Sequence, residues 1–190
     1  MTDEEIIAAS FDDPPVFGEL FERHFTTIHG YLSRRLGRAR ADDLAGEVFR
    51  IGFVERSKYD PSRGGLRSWL YGIANNVLRQ HLRDRERAER AWARLGLSSV
   101  VVDDVSPVER IDAQLLAARL DAALARLLPT DREALTLHVV EQLTYAEVAL
   151  VMNTPIGTVR SRIARARNQL RVSLAFTADS DTRHEGADHG

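Results

Sequence analysis

The chain has 190 residues, 44% hydrophobic and 28% charged. That is enough apolar material to bury a core, and it excludes a chain too polar to fold. There is no cysteine, which excludes disulfides, thiolate metal sites and a thiol nucleophile. No run approaches the ~20 apolar residues of a membrane span. The first fifteen residues carry acids and no base, unlike a targeting leader. The expectation is a soluble, cytosolic protein.

Net charge is −2 but unevenly spread. Residues 1–22 hold seven acids (Asp3, Glu4, Glu5, Asp12, Asp13, Glu19, Glu22) and no Lys or Arg. Residues 155–171 hold five Arg and no acid. Local positive charge of that density is an anion-binding signal.

In chain order, the apolar spacing predicts helices over about 16–36, 42–57, 66–93, 108–127, 131–141, 145–152 and 155–173. Residues 1–15 read as an acidic extension. Asp42 or Asp43 is expected to cap the second helix, and the loop Asp60-Pro-Ser-Arg-Gly-Gly65 to separate it from the third. Residues 95–107 have no helical period and read as a flexible linker. Capping boxes are predicted at Ser106–Glu109, Thr130–Glu133 and Thr144–Glu147. Thr154-Pro155 marks the start of the last helix. Residues 175–190 read as a disordered tail. The expected architecture is all-α, with helical units at 16–94 and 108–174.

The second helix mixes acids with apolar residues in Asp42-Asp-Leu-Ala-Gly-Glu-Val-Phe49, which suits a basic protein partner or a plain amphipathic helix. The third helix carries an apolar stripe of Leu66, Leu70, Ile73 and Val77. Beside it lies a polar stripe with Asn75, Asn76, Arg79 and Arg83, and Trp69 stands at the border. Arg, amides and an aromatic ring together can hold a single nucleic-acid strand. Core packing of Trp69 and a solvated Asn face are the plainer alternatives.

In the last helix, Ile156, Val159, Ile163, Ala166 and Leu170 fall within an arc of about 80° at 3.6 residues per turn. Thr158, Ser161, Arg165 and Asn168 lie opposite. Arg160, Arg167 and Arg171 line one flank, and Arg162 lines the other. Marginal Arg suits phosphates, while central Ser, Thr and Arg suit base edges in a major groove. With the short preceding helix and a tight Asn153-Thr154 turn, residues 145–171 form a helix-turn-helix pattern. A merely solvated Arg face is the alternative; the lack of any balancing acid argues against it.

Three segments, in order, resemble the extracytoplasmic-function (ECF) sigma factors of bacterial RNA polymerase. Asp42–Phe49 is similar to the polymerase-binding part of sigma region 2. Leu66–Arg83, with Arg-Ser-Trp-Leu-Tyr-Gly-Ile-Ala-Asn-Asn within it, is similar to the −10 melting helix. Leu127-Leu-Pro129 through Gly157-Thr-Val-Arg-Ser-Arg162 to Arg167 is similar to region 4. Gly46 departs from the family, which usually has a longer polar residue there.

The resemblance implies a two-domain initiation factor with no cofactor, no metal and no catalytic residue. Core polymerase would be bound through Asp43, Leu44, Glu47 and Phe49 at the β′ clamp helices, with region 4 against the β flap. Trp69, Asn75, Asn76, Arg79 and Arg83 would engage promoter DNA at −10, and Asn76 would help capture a flipped base. Thr158, Arg160, Ser161, Arg162, Arg165 and Arg167 would engage the −35 element. An anti-sigma factor is an expected partner. A response-regulator type of helix-turn-helix protein would need a parallel α/β receiver domain, and no strand pattern is present. A helical interaction protein would fit the helices but would not initiate transcription. Scattered His residues, no phosphate loop and no nucleophile motif argue against an enzyme.

Overall fold

The computed structural model describes residues 1–94 and 111–184, with side-chain surroundings at 1–91 and 118–174. Eight α-helices and no strand occur among the described residues: α1 Asp3–Ala9, α2 Gly18–Leu36, α3 Arg38–Val54, α4 Leu66–Arg94, α5 Ile111–Ala125, α6 Pro129–Val139, α7 Tyr145–Val151 and α8 Ile156–His184. The chain forms two compact units: one holds α1–α4 together with residues 150–153, and the other holds α5, α6, α8 and the first five residues of α7. The expected linker at 95–107 and the Ser106–Glu109 capping box lie outside the described residues.

In the first unit, α2, α3 and α4 pack on one another. Leu20, Ile28 and Leu32 of α2 meet Ala45 and Val48 of α3 and Leu70 of α4 in a solvent-free centre. Tyr31 and Tyr71 meet edge to face at 5.2 Å. α3 starts at Arg38, four residues earlier than the spacing predicts. Gly37, at φ 76°, turns the chain within one residue and leaves no linker to cap. Asp42 therefore lies inside α3 and caps nothing; its carboxylate meets His29 Nε2 at 2.7 Å.

The first residues are not an appendage. Thr2 and Glu5 form a reciprocal capping box on α1. Ile6 is fully buried and Ile7 nearly so. Asp3 meets His24 at 2.7 Å and Arg23 at 3.2 Å, both on α2. Glu4, Glu5, Asp12 and Asp13 face outward, while Asp3 and two adjacent isoleucines anchor the segment.

In the second unit, α8 packs against α5 and α6. Val159, Ile163 and Ala166 are buried, as the wheel predicts, whereas Ile156 is 41% exposed. The Thr144–Glu147 capping box is present, with the Glu147 amide donating to Thr144 Oγ1 at 3.2 Å and the Thr144 amide to Glu147 Oε2 at 2.8 Å. The Thr130–Glu133 box is not. α6 begins two residues earlier than the spacing predicts, at Pro129, whose fixed φ sets the first turn, and the Asp131 and Arg132 amides donate to Leu128 O. α8 continues to His184, past the predicted end near 173, because no Gly or Pro interrupts 172–184. Among the described residues no helix is long and apolar enough to cross a membrane.

Candidate nucleic-acid interface

Two helices carry the residues singled out in the sequence. On α8, Arg160, Ser161, Arg165 and Arg167 are exposed, and Thr158 and Arg162 are half-buried. The dry arc turns this stripe outward. Ser161 Oγ donates to Thr158 O at 2.9 Å, a bond within one turn that leaves its lone pairs facing solvent. Arg160, Arg162 and Arg167 make no hydrogen bond or ion pair among the described residues.

Arg165 is held by a second helix. Its Nε and Nη2 each donate to Asp131 of α6, at 3.0 Å. The Asp131 side chain is 1% exposed and that of Arg165 56%. Bidentate pairing with this carboxylate raises the Arg165 pKa above its ordinary value. Asp131 was not legible from spacing, since 34 residues separate the pair.

On α4, the polar stripe divides. Asn76 is exposed, and with the half-buried Trp69 it lines one recess together with Arg63, Asp60, and Lys58, whose Nζ donates to Glu55 Oε1 at 2.7 Å. Asn75 is buried, and the Tyr31 hydroxyl donates to its Oδ1 at 3.4 Å. An interior amide held in this way is not a groove-facing group, so Asn75 is reassigned to the unit's framework. Arg79 is half-buried and engaged with its surroundings. Arg83 is exposed and donates to Gln80 Oε1 at 2.7 Å. Trp69 packs on Tyr59, with ring centroids 5.6 Å apart. Burial, then the nearby Glu4 and Asp3 carboxylates, pushes the Tyr59 phenol above its usual range.

The loop before α4 frames this recess. Asp60 Oδ1 accepts from the Ser62 hydroxyl at 2.7 Å and the Ser62 amide at 3.0 Å, which lowers its carboxyl pKa. Gly64, at φ 156°, has no room for a side chain: a Cβ would sit 2.8 Å from Ser68 Oγ. Sequence reasoning passed over Lys58 and Arg63. The only lysine of the chain, just before a Pro-Gly loop, was the available signal.

On α3, Asp43 is exposed and Leu44 half-buried. Glu47 accepts from Arg50 at 2.6 and 2.7 Å, and these hydrogen bonds lower its pKa. Phe49 is 4% exposed and packs edge-on against Phe21 at 5.0 Å. It joins α2 to α3 and is not a partner-facing ring, which corrects the expectation for that residue. A Cβ at Gly46 would meet nothing within 4 Å, so packing does not require glycine there.

The Sigma-70 region 2 family model matches residues 20–88, and the Sigma-70, region 4 model matches residues 117–170. The chain is 32% identical to the RNA polymerase sigma-H factor of Pseudomonas aeruginosa, over 85% of this chain and 88% of that protein. It is 34% identical to the ECF RNA polymerase sigma factor SigC of Mycobacterium tuberculosis, over 68% of each. The chain belongs to the ECF sigma factor family. It is also 33% identical to the ECF RNA polymerase sigma factor SigE of Mycolicibacterium smegmatis, of which it spans 62% of the length. Two solved structures share the sigma fold at a TM-score of 0.63. One is CnrH in complex with the cytosolic domain of CnrY, at 24% identity, covering 91% of this chain and 97% of that one. The other is RpoE in complex with the anti-sigma factor NepR from Bartonella quintana, at 23% identity, covering 85% and 98%. The helix carrying Trp69 and Asn76 thus falls within sigma region 2, and the Arg-rich helix within sigma region 4.

Proposed function

We infer that this ECF sigma factor binds core RNA polymerase, recognises the −35 and −10 promoter elements and promotes strand opening. The observation that carries this reading is the order of the two sigma regions along one chain, the second ending in a helix with a dry arc and an outward Arg stripe. Region 2 is assigned to residues 16–94, joined by α1, and region 4 to 108–174, with 95–107 as connector.

A sigma factor makes and breaks no covalent bond. It lowers the free energy of an opened strand relative to the duplex. Each lost stacking step costs about 1.4 kcal/mol, and extruding one base costs a few kcal/mol. The Trp69–Asn76 recess offers an aromatic face, an amide and the cation Arg63 to one extruded base and its phosphate, with Lys58 held by Glu55 at its rim. Arg79 and Arg83 continue the path. Arg160, Arg162 and Arg167 neutralise phosphates beside the −35 groove, while Thr158, Ser161 and Arg165 face base edges. Polymerase supplies the remaining binding energy and holds the two contacts in register. Asp43 and Leu44, with Glu47 behind them, form the clamp-facing side of α3, and region 4 meets the β flap. The protein acts in the cytoplasm, and an anti-sigma factor, of the kind bound to the RpoE relative, covers it when transcription is off.

Run-off transcription with core polymerase on templates with randomised upstream sequence tests this. RNA with defined 5′ ends from templates sharing two spaced elements is the expected result. Polymerase binding without any defined start site would leave a helical interaction protein as the better description.

A further inference from the structure

The Asp131–Arg165 pair has a geometry that a simple strut between α6 and α8 does not need. A carboxylate sealed from solvent requires a partner. Arg165 provides one with the side edge of its guanidinium, Nε and Nη2, at 3.0 Å each. A guanidinium carries five N–H groups in a fixed plane. Two are committed to Asp131. The other three, both on Nη1 and the outer one on Nη2, have no acceptor among the described residues, and the side chain is 56% exposed. These belong to the end edge of the fork, whose two parallel donors match O6 and N7 of guanine. Arg165 lies on the same stripe as Thr158 and Ser161, and the carboxylate behind it fixes the plane and direction of its long, flexible side chain.

We propose that Asp131 is a positioning residue for promoter reading: it clamps the side edge of Arg165 so that the end edge meets one guanine of the −35 element. The proposal rests on the sigma-factor reading and adds to it a residue that is buried and touches no DNA. A plain strut would behave differently. Its loss would lower stability and weaken every promoter alike, whereas loss of a positioning residue falls on one base pair.

The test uses the full chain bound to core polymerase, with run-off competition between templates carrying each of the four bases at every −35 position. Wild type is expected to prefer guanine at one position by about tenfold or more, within the range of one bidentate contact. Asp131→Asn and Arg165→Lys should each reduce that preference to below about threefold, at that position alone. The double variant should be no worse than either. Arg165→Lys keeps a cation against Asp131 and guards against misfolding, which thermal melting by circular dichroism monitors. Guanine preference surviving Arg165→Lys overturns the proposal. So does an Asp131→Asn loss spread equally over all positions, or losses that add in the double variant. No defined start site with wild type overturns the sigma reading itself and this proposal with it.

Discussion

The polar stripes of α4 and α8 look alike on a helical wheel, yet only one of them is a surface. On α8 the dry residues occupy a single arc, so Ser161, Arg165 and Asn168 opposite it are in water. α8 packs against α5 and α6, and α4 against α2 and α3, but the buried residues of α4 spread round more of the helix. Leu70 and Ile73 are buried on one side, and Tyr71, Ala74 and Leu78 are buried as well. The stripe through Asn75 and Asn76 is cut by that spread. Asn75 goes in, where Tyr31 satisfies it, and Asn76 stays out. A wheel reads faces correctly for a helix whose buried residues keep to one arc and misreads them for a helix whose buried residues spread round it.

The sharpest ways to break this comparison are truncations of buried residues. Ile163→Ala on the dry arc of α8 and Ile6→Ala on α1 should each cost about 2–5 kcal/mol in urea-induced unfolding. A negligible cost at Ile6 would restore the first fifteen residues to the status of an appendage. Next comes the contrast within the stripes. Asn75→Ala should cost about 1–3 kcal/mol by removing a buried amide and the hydrogen bond it accepts from Tyr31. Asn168→Ala, on the exposed side of α8, should stay within about 0.5 kcal/mol. Equal costs for the two would end the distinction drawn above. Thr144→Ala removes the α7 cap and should cost about 1 kcal/mol, read by the same unfolding experiment. The smallest effect concerns one cation: Arg160→Ala should weaken promoter binding by the holoenzyme about equally across sequences and reduce the salt slope by about 1.

What could be read from the sequence was whatever depends on neighbours in the chain. The helices α2 to α8, the Thr144–Glu147 cap and the outward Arg stripe are local in this sense. α1 was also local, because Thr2–Glu5 is the same capping pattern, but the density of acids drew attention from Ile6 and Ile7. Asp131, Phe49 and Asn75 were not legible. Their roles come from partners on other helices, and no spacing rule connects position 131 to 165 or 75 to 31. The recess cations Lys58 and Arg63 lie between these cases, placed by a loop whose Gly64 hints at a close approach without saying to what.

The elbow between α6 and α7 imposes a different kind of rule. Gln142 sits at φ 56°, Leu143 N donates to Leu137 O at 3.1 Å, and His138 Nδ1 lies 2.8 Å from Leu143 O. Backbone handedness at this one exposed position, and not the amide it carries, is what the bend demands. Glycine or asparagine should therefore be interchangeable with glutamine there across evolutionary time. Valine and isoleucine should be purged, because a branched Cβ in that conformation would push the helix-turn-helix out of alignment with the rest of its domain.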